Sequence, residues 1–199
     1  MSMILINFMG NWVQQNALTS ARASLLNDAQ VALDSIGENI RQSSSADQNN
    51  RWLDANAPGA PSNQQSWTSN STTLVLATAA QNSSGSIIFS DPANYTSWKN
   101  NYVYFVSNQV LYVRTLAANV SGNKAVTSCP KALATSSCPA DRALTVNATS
   151  FGVTYLNNDN QQVTPTNARS IELSLTLTTT KYNQPIQVTY KTRMVFRNK

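Results

Sequence analysis

The chain has 199 residues, carries a net charge of +5, has only 12% charged residues and contains no histidine. The positive balance comes from scarce acids (seven Asp and two Glu) rather than from a basic cluster, so nucleic-acid or membrane-surface binding has weak support. Missing histidine and few carboxylates remove the usual general base, the commonest transition-metal ligand and most acid pairs, and no phosphate-cradling glycine loop, nucleophile elbow or zinc-protease motif occurs; the composition reads as a non-enzyme without catalytic residues, cofactor or metal.

Residues 1 to about 43 contain no proline and predict one long helix. Seven of the first nine residues are apolar, among them Ile4, Leu5, Ile6, Phe8 and Met9, and Trp12 and Val13 follow. Leu18, Ala21, Leu25, Ala29, Leu33, Ile36 and Ile40 then recur at steps of three and four, an apolar stripe at helical period. At ~1.5 Å per residue such a rod is about 65 Å long, roughly twice a small domain. The expectation is that residues of about 17–43 lie on a sheet while about 1–16 protrude with an apolar surface. An exposed patch of that size finds a partner.

Residues 44–71 are rich in Ser, Asn, Gly and Pro and predict a loop or meander, pinned to the body by Trp52 and Trp67. Residues 72–199 predict an antiparallel β domain. "TTLVLATAA" and "SIIFS" are short apolar runs around a turn. "NYVYFVSNQVLYVRTLA" predicts a hairpin around Ser107, Asn108 and Gln109, followed by an irregular loop over about 119–144. "ATSFGVTYLNND" is a further strand. The last 30 residues predict two longer strands around "KYNQP", with Ile171, Leu173, Leu175 and Leu177 on one period-two face and Ile186, Val188, Tyr190, Thr192, Met194 and Phe196 on another. Glu172, Ser174, Thr176 and Thr178 form the wet side. A sheet dry on one side and a helix with an apolar stripe predict an α+β fold, the helix covering the sheet through Leu18, Leu25, Ala29, Leu33, Ile36 and Ile40.

Cys129 and Cys138 sit in "SCPKALATSSCPADRA" with eight residues between them. This is not a CxxC redox motif, and two thiols without histidine make a poor zinc site. The exported-looking composition favours a structural disulfide, worth about 2.5–3 kcal/mol in the chain-entropy model. The alternative is a pair of free thiols in a cytosolic protein.

Four stretches carry a family resemblance: "LLNDAQVALDSIGENIRQSSS", "NYVYFVSNQVLYVRTL", "VNATSFGVTYLNND" and "ARSIELSLTLTTTKYNQPIQVTYKTRMVFRNK". In that order they resemble the back half of the helix and the successive strands of type IV pilins and type II secretion pseudopilins, closest to the larger PilW-like and J-type minor subunits. The resemblance implies a pilin-like fold and a structural subunit of an extracellular filament on the bacterial cell surface, acting in pilus assembly, adhesion or twitching motility. It implies insertion in the inner membrane before assembly. It also implies contact with other pilin subunits through Ile4, Leu5, Ile6, Phe8, Met9, Trp12 and Val13, and with a host or cell surface. The scattered positive charge, by contrast, predicts no specific nucleic-acid partner. A prepilin begins with a short basic leader, a Gly, a Phe and an apolar run with Glu at its fifth mature position. None of these is present, and "MSMILINFMGNW" resembles the later part of that run, as in an N-terminally truncated or divergent subunit.

A second reading is a secreted carbohydrate- or surface-binding β module, with Trp67, Trp98, Tyr102 and Tyr104 as stacking faces. Alternating aromatics also suit strand packing, which weighs against it.

Overall fold

The computed structural model describes residues 2–54, 56–57 and 67–197, with side chains from residue 11 onward. Helix α1 spans Ser2–Gln42. Arg41 in its last turn suits the negative end of the helix dipole. The Ser43 hydroxyl donates to the Asn39 carbonyl at 2.7 Å, satisfying one of the terminal acceptors as the chain leaves the helix.

The chain then enters strand β1 (Ser43–Ala46) directly. This departs from the loop expected from residue 44. The segment is a strand because its backbone pairs with β2 (Leu74–Ala79), Ser43 opposite Thr78 and Ala46 opposite Leu76. A polar "SSSA" stretch gives no period-two signal for it.

Two sheets carry the body. The first has five antiparallel strands in the order β1-β2-β5-β6-β7, where β5 is Lys99–Ser107, β6 is Val110–Leu116 and β7 is Arg142–Val146. The loop expected over 119–144 therefore ends earlier, because Arg142 and Ala143 already pair with Val113 and Tyr112. The second sheet has the order β10-β9-β8, with β8 at Ala148–Leu156, β9 at Ser170–Lys181 and β10 at Gln184–Val195. A small ribbon, β3 (Phe89–Asp91) with β4 (Thr96–Ser97), stands between β2 and β5 in the chain. The "SIIFS" run is not a strand throughout: Ile87 makes one isolated bridge to Gln81, and the ladder starts only at Phe89. The β5–β6 and β9–β10 turns place Asn108, Gln109, Tyr182 and Asn183 at positive φ, the two-residue geometry that matches strand twist.

The helix packs against both sheets. Leu25, Ala29, Ala32, Leu33, Ile36 and Ile40 join Leu74, Leu76, Tyr104, Leu111 and Val113 of the first sheet. The same core includes Phe151, Val153, Tyr155, Ile171, Leu173, Leu175, Leu177, Ile186, Val188, Met194 and Phe196 of the second sheet and the residue after it. Gly37 lets this layer close, because a Cβ there would lie 2.7 Å from both the sulfur and the methyl of Met194. The fold is α+β, one helix packed on antiparallel sheets.

The first sheet is dry on its second face too. Val75, Val103, Phe105 and Leu116 alternate with the helix-facing residues and are covered by Ala57 and Trp67 of the segment after β1. The outer face of the second sheet is polar but partly closed. Thr176 is buried, and its hydroxyl is 2.9 Å from that of Thr189 on β10.

Candidate assembly surface and the structure that supports it

The stripe on α1 divides the helix by what it touches. Leu25, Ala29, Leu33, Ile36 and Ile40 are buried, and Leu18 and Ala21 are partly buried against the same core. N-terminal to Leu18 most of the described side chains are exposed, with Gln14 and Ala17 intermediate. Trp12 is 62% exposed and Val13 is 53% exposed. With ~1.5 Å per residue, the helical backbone from Ser2 to Ala17 reaches about 24 Å past the first core residue. Ile4, Leu5, Ile6, Phe8 and Met9 lie on this stretch, with side chains outside the described residues. Two further apolar residues, Leu26 and Val31, are exposed on the sheet-bearing half of the helix. No helix among the described residues is long and apolar enough to cross a membrane.

Cys129 and Cys138 form a disulfide, with Cα atoms 5.6 Å apart. The backbone reinforces the closure: the Cys129 amide donates to Pro139 O at 2.8 Å, and the Asp141 amide donates to Cys129 O at 2.8 Å. The bonded loop is thereby seated next to Asp141, whose carboxylate faces β6.

That carboxylate belongs to a buried ion cluster. Arg114 on β6 is 2% exposed. Its Nη2 meets Asp141 Oδ2 at 2.6 Å and its Nη1 meets Asp54 Oδ2 at 2.7 Å. The Asn56 carbonyl accepts from Nη1 at 3.0 Å, and Ser128 Oγ donates to Asp141 at 2.8 Å. The guanidinium carbon lies 5.5 Å from the Trp67 ring centroid and 5.7 Å from that of Phe105. Trp67 donates its indole N–H to the same Asp54 oxygen at 2.7 Å. Burial pulls the Arg114 pKa down, but hydrogen bonds to Asp141 and Asp54 outweigh it, and the group stays above its ordinary value. One cation therefore ties the segment after β1, the disulfide loop and the first sheet together.

A second tie starts at Asp47. Arg51 reaches its two oxygens at 2.7 and 3.2 Å, and Asn101 of β5 donates to it at 3.1 Å while accepting the Arg51 amide at 2.7 Å. Under the helix, Asn39 Nδ2 donates to the Tyr104 hydroxyl at 2.6 Å. Burial pushes the Tyr104 pKa far up, so this phenol is a neutral part of the core.

The aromatic residues considered as stacking faces are distributed unequally. Trp67 and Tyr104 are buried, while Tyr102 at the core margin and Trp98 beside the β3–β4 ribbon are both partly buried. Arg114, Asp54 and Asp141 were not singled out from the sequence. Their only linear signal is an arginine on the alternation Val110, Tyr112, Arg114, a position that an apolar residue would otherwise take.

No protein-family model matches the chain, and no curated protein matches it.

Proposed function

We propose that this chain is a structural subunit of a type IV pilus-like extracellular filament, of the minor pilin or pseudopilin kind, and that it assembles by non-covalent helix packing. One observation carries the reading: a 41-residue helix uses its C-terminal half as the core of the body and leaves Trp12 and Val13 exposed on the half that extends beyond it. A monomer gains nothing from an unpacked apolar rod. A filament of parallel copies gives that rod neighbours, and burying a few large side chains contributes several kcal/mol per subunit at ~25 cal/mol per Å2. The body then faces outward, with the disulfide and the Arg114 cluster holding its loops in shape outside the cell. The resemblance of the helix and strand stretches to pilins supports the same reading and adds inner-membrane insertion before assembly.

The test is deletion of residues 1–12 in a strain lacking the native gene. The shortened protein should unfold at the same urea concentration as the full chain, because Leu18 onward supplies the core, and it should be absent from sheared filaments. Normal incorporation of the deletion variant would overturn the proposal.

A further inference from the structure

Between the segment after β1 and the β3–β4 ribbon lies a cleft of about 330 Å³ whose walls include Arg51, Trp52, Ser90, Thr96, Trp98 and Lys99. Its floor is aromatic: the Trp52 and Trp98 ring centroids are 5.9 Å apart, with 34° between the planes. Both residues are fixed in place. Trp52 donates its indole N–H to the Lys99 carbonyl at 2.7 Å and packs against the cluster of Trp67, Val75, Val103, Phe105 and Leu116. The Trp98 backbone donates to Ile88 O at 3.0 Å and accepts from the Ala80 amide at 2.7 Å.

Two polar groups in the cleft remain uncommitted. The Trp98 indole N–H and the Lys99 ammonium have no hydrogen-bond or ion-pair partner among the described residues. Arg51, by contrast, is already bound through Asp47. Burial, and then the positive charge of Arg51, pull the Lys99 pKa down, while Asp47 pushes it up. An incoming anion would offset the Arg51 repulsion. The adjoining ribbon is braced rather than loose: Asp91 accepts from the Ala93 amide at 3.0 Å and from the Asn94 side chain at 2.7 Å. Tyr95 at its tip is 82% exposed and held at φ 52°, a strained conformation for a bulky residue.

We propose that this cleft binds an acidic saccharide, with a pyranose ring laid on the Trp52–Trp98 wedge and its carboxylate on the Lys99 ammonium. A sugar ring offers an apolar C–H face for the indoles and a rim of hydroxyls for Ser90, Thr96 and the Trp98 N–H. Single-stranded nucleic acid would also stack on indoles, but it needs cations that follow its backbone, and among the described residues lining the cleft Lys99 is the one cation without an ion-pair partner. The proposal is independent of the filament reading, which concerns the opposite use of aromatic residues on α1.

The experiment is an indole N–H NMR titration of the full chain with oligogalacturonate, with a neutral galactose oligomer of equal length and with oligo-dT. The Trp98 and Trp52 signals should shift saturably with oligogalacturonate, while the buried Trp67 signal stays in place. Lys99→Gln should weaken binding at least about tenfold, the scale of a lost charge-assisted contact. Trp98→Ala should remove saturation, and Lys131→Gln, a cation on the disulfide loop, should leave affinity unchanged. The idea fails if no signal saturates, if the neutral oligomer binds equally well, if Lys99→Gln binds as the parent does, if Lys131→Gln weakens binding as much, or if oligo-dT alone binds.

Discussion

Arg114 occupies a position on β6 where alternation calls for an apolar side chain, and it is retained because two carboxylates and two aromatic rings meet it there. Buried ion pairs of this sort add little net stability over a well-packed apolar substitute, but removing one partner strands the others. Arg114→Met would leave Asp54 and Asp141 facing each other without a cation. Asp54 would keep its bond from Trp67, and Asp141 its bond from Ser128. The expected loss is about 3–5 kcal/mol in urea unfolding. The triple variant carrying Asp54→Asn and Asp141→Asn as well should recover most of it, since neutral amides no longer require a counter-charge. If the triple variant were as unstable as the single one, the loss would come from packing against Trp67 and Phe105 rather than from stranded charge.

At the scale of elements, the disulfide loop is a brace on an otherwise irregular stretch. Cys129 and Cys138 close nine positions of sequence separation beside a backbone bridge from Cys129 to Ala140. Replacing both cysteines with serine should lower stability by about 2.5–3 kcal/mol while far-UV circular dichroism stays the same, because the sheets do not pass through the loop. An unchanged melting temperature would show that the backbone bonds alone hold it. The elements legible in the sequence are those with a local signature. The helix announces itself through steps of three and four, and β9 and β10 through strict alternation, because each repeats one environment along its own length. β1 carries no such signature: its place depends on β2, about 30 residues away, and on an edge ladder that any short polar segment can join. The division of the strands into two sheets was likewise illegible, since it depends on which strand pairs with which. That is fixed by contacts such as the Val153 amide donating to Ser71 O at 2.9 Å, where the second sheet abuts the segment before β2. Of the candidate surface, the apolar start of the helix was legible as composition. The Arg114 cluster was not, because Asp54 and Asp141 lie 60 and 27 residues from their partner.

For the whole molecule, α1 touches the cores of both sheets, and Leu33 sits with no exposure in the middle of its buried stripe. The two sheets also meet directly where β8 packs on β5 and β6 and the Ala148 amide donates to Gln109 O at 2.8 Å, and the helix adds a second link by packing on both. Leu33→Ala opens a cavity there and should cost about 3–5 kcal/mol, the upper range for a leucine that cannot be replaced by local collapse. Because the cavity borders both sheets, hydrogen-exchange protection of β5 and of β9 should fall by the same factor, in one cooperative unit. Backbone amides of residues 2–17 should exchange quickly in parent and variant alike, as they belong to the part of the helix that precedes the core. A loss of protection confined to one sheet would mean that the helix is a cover for that sheet alone. The N-terminal half of α1 would then be attached to a divisible body, and the rigid coupling that a filament subunit needs between its rod and its outer surface would be missing.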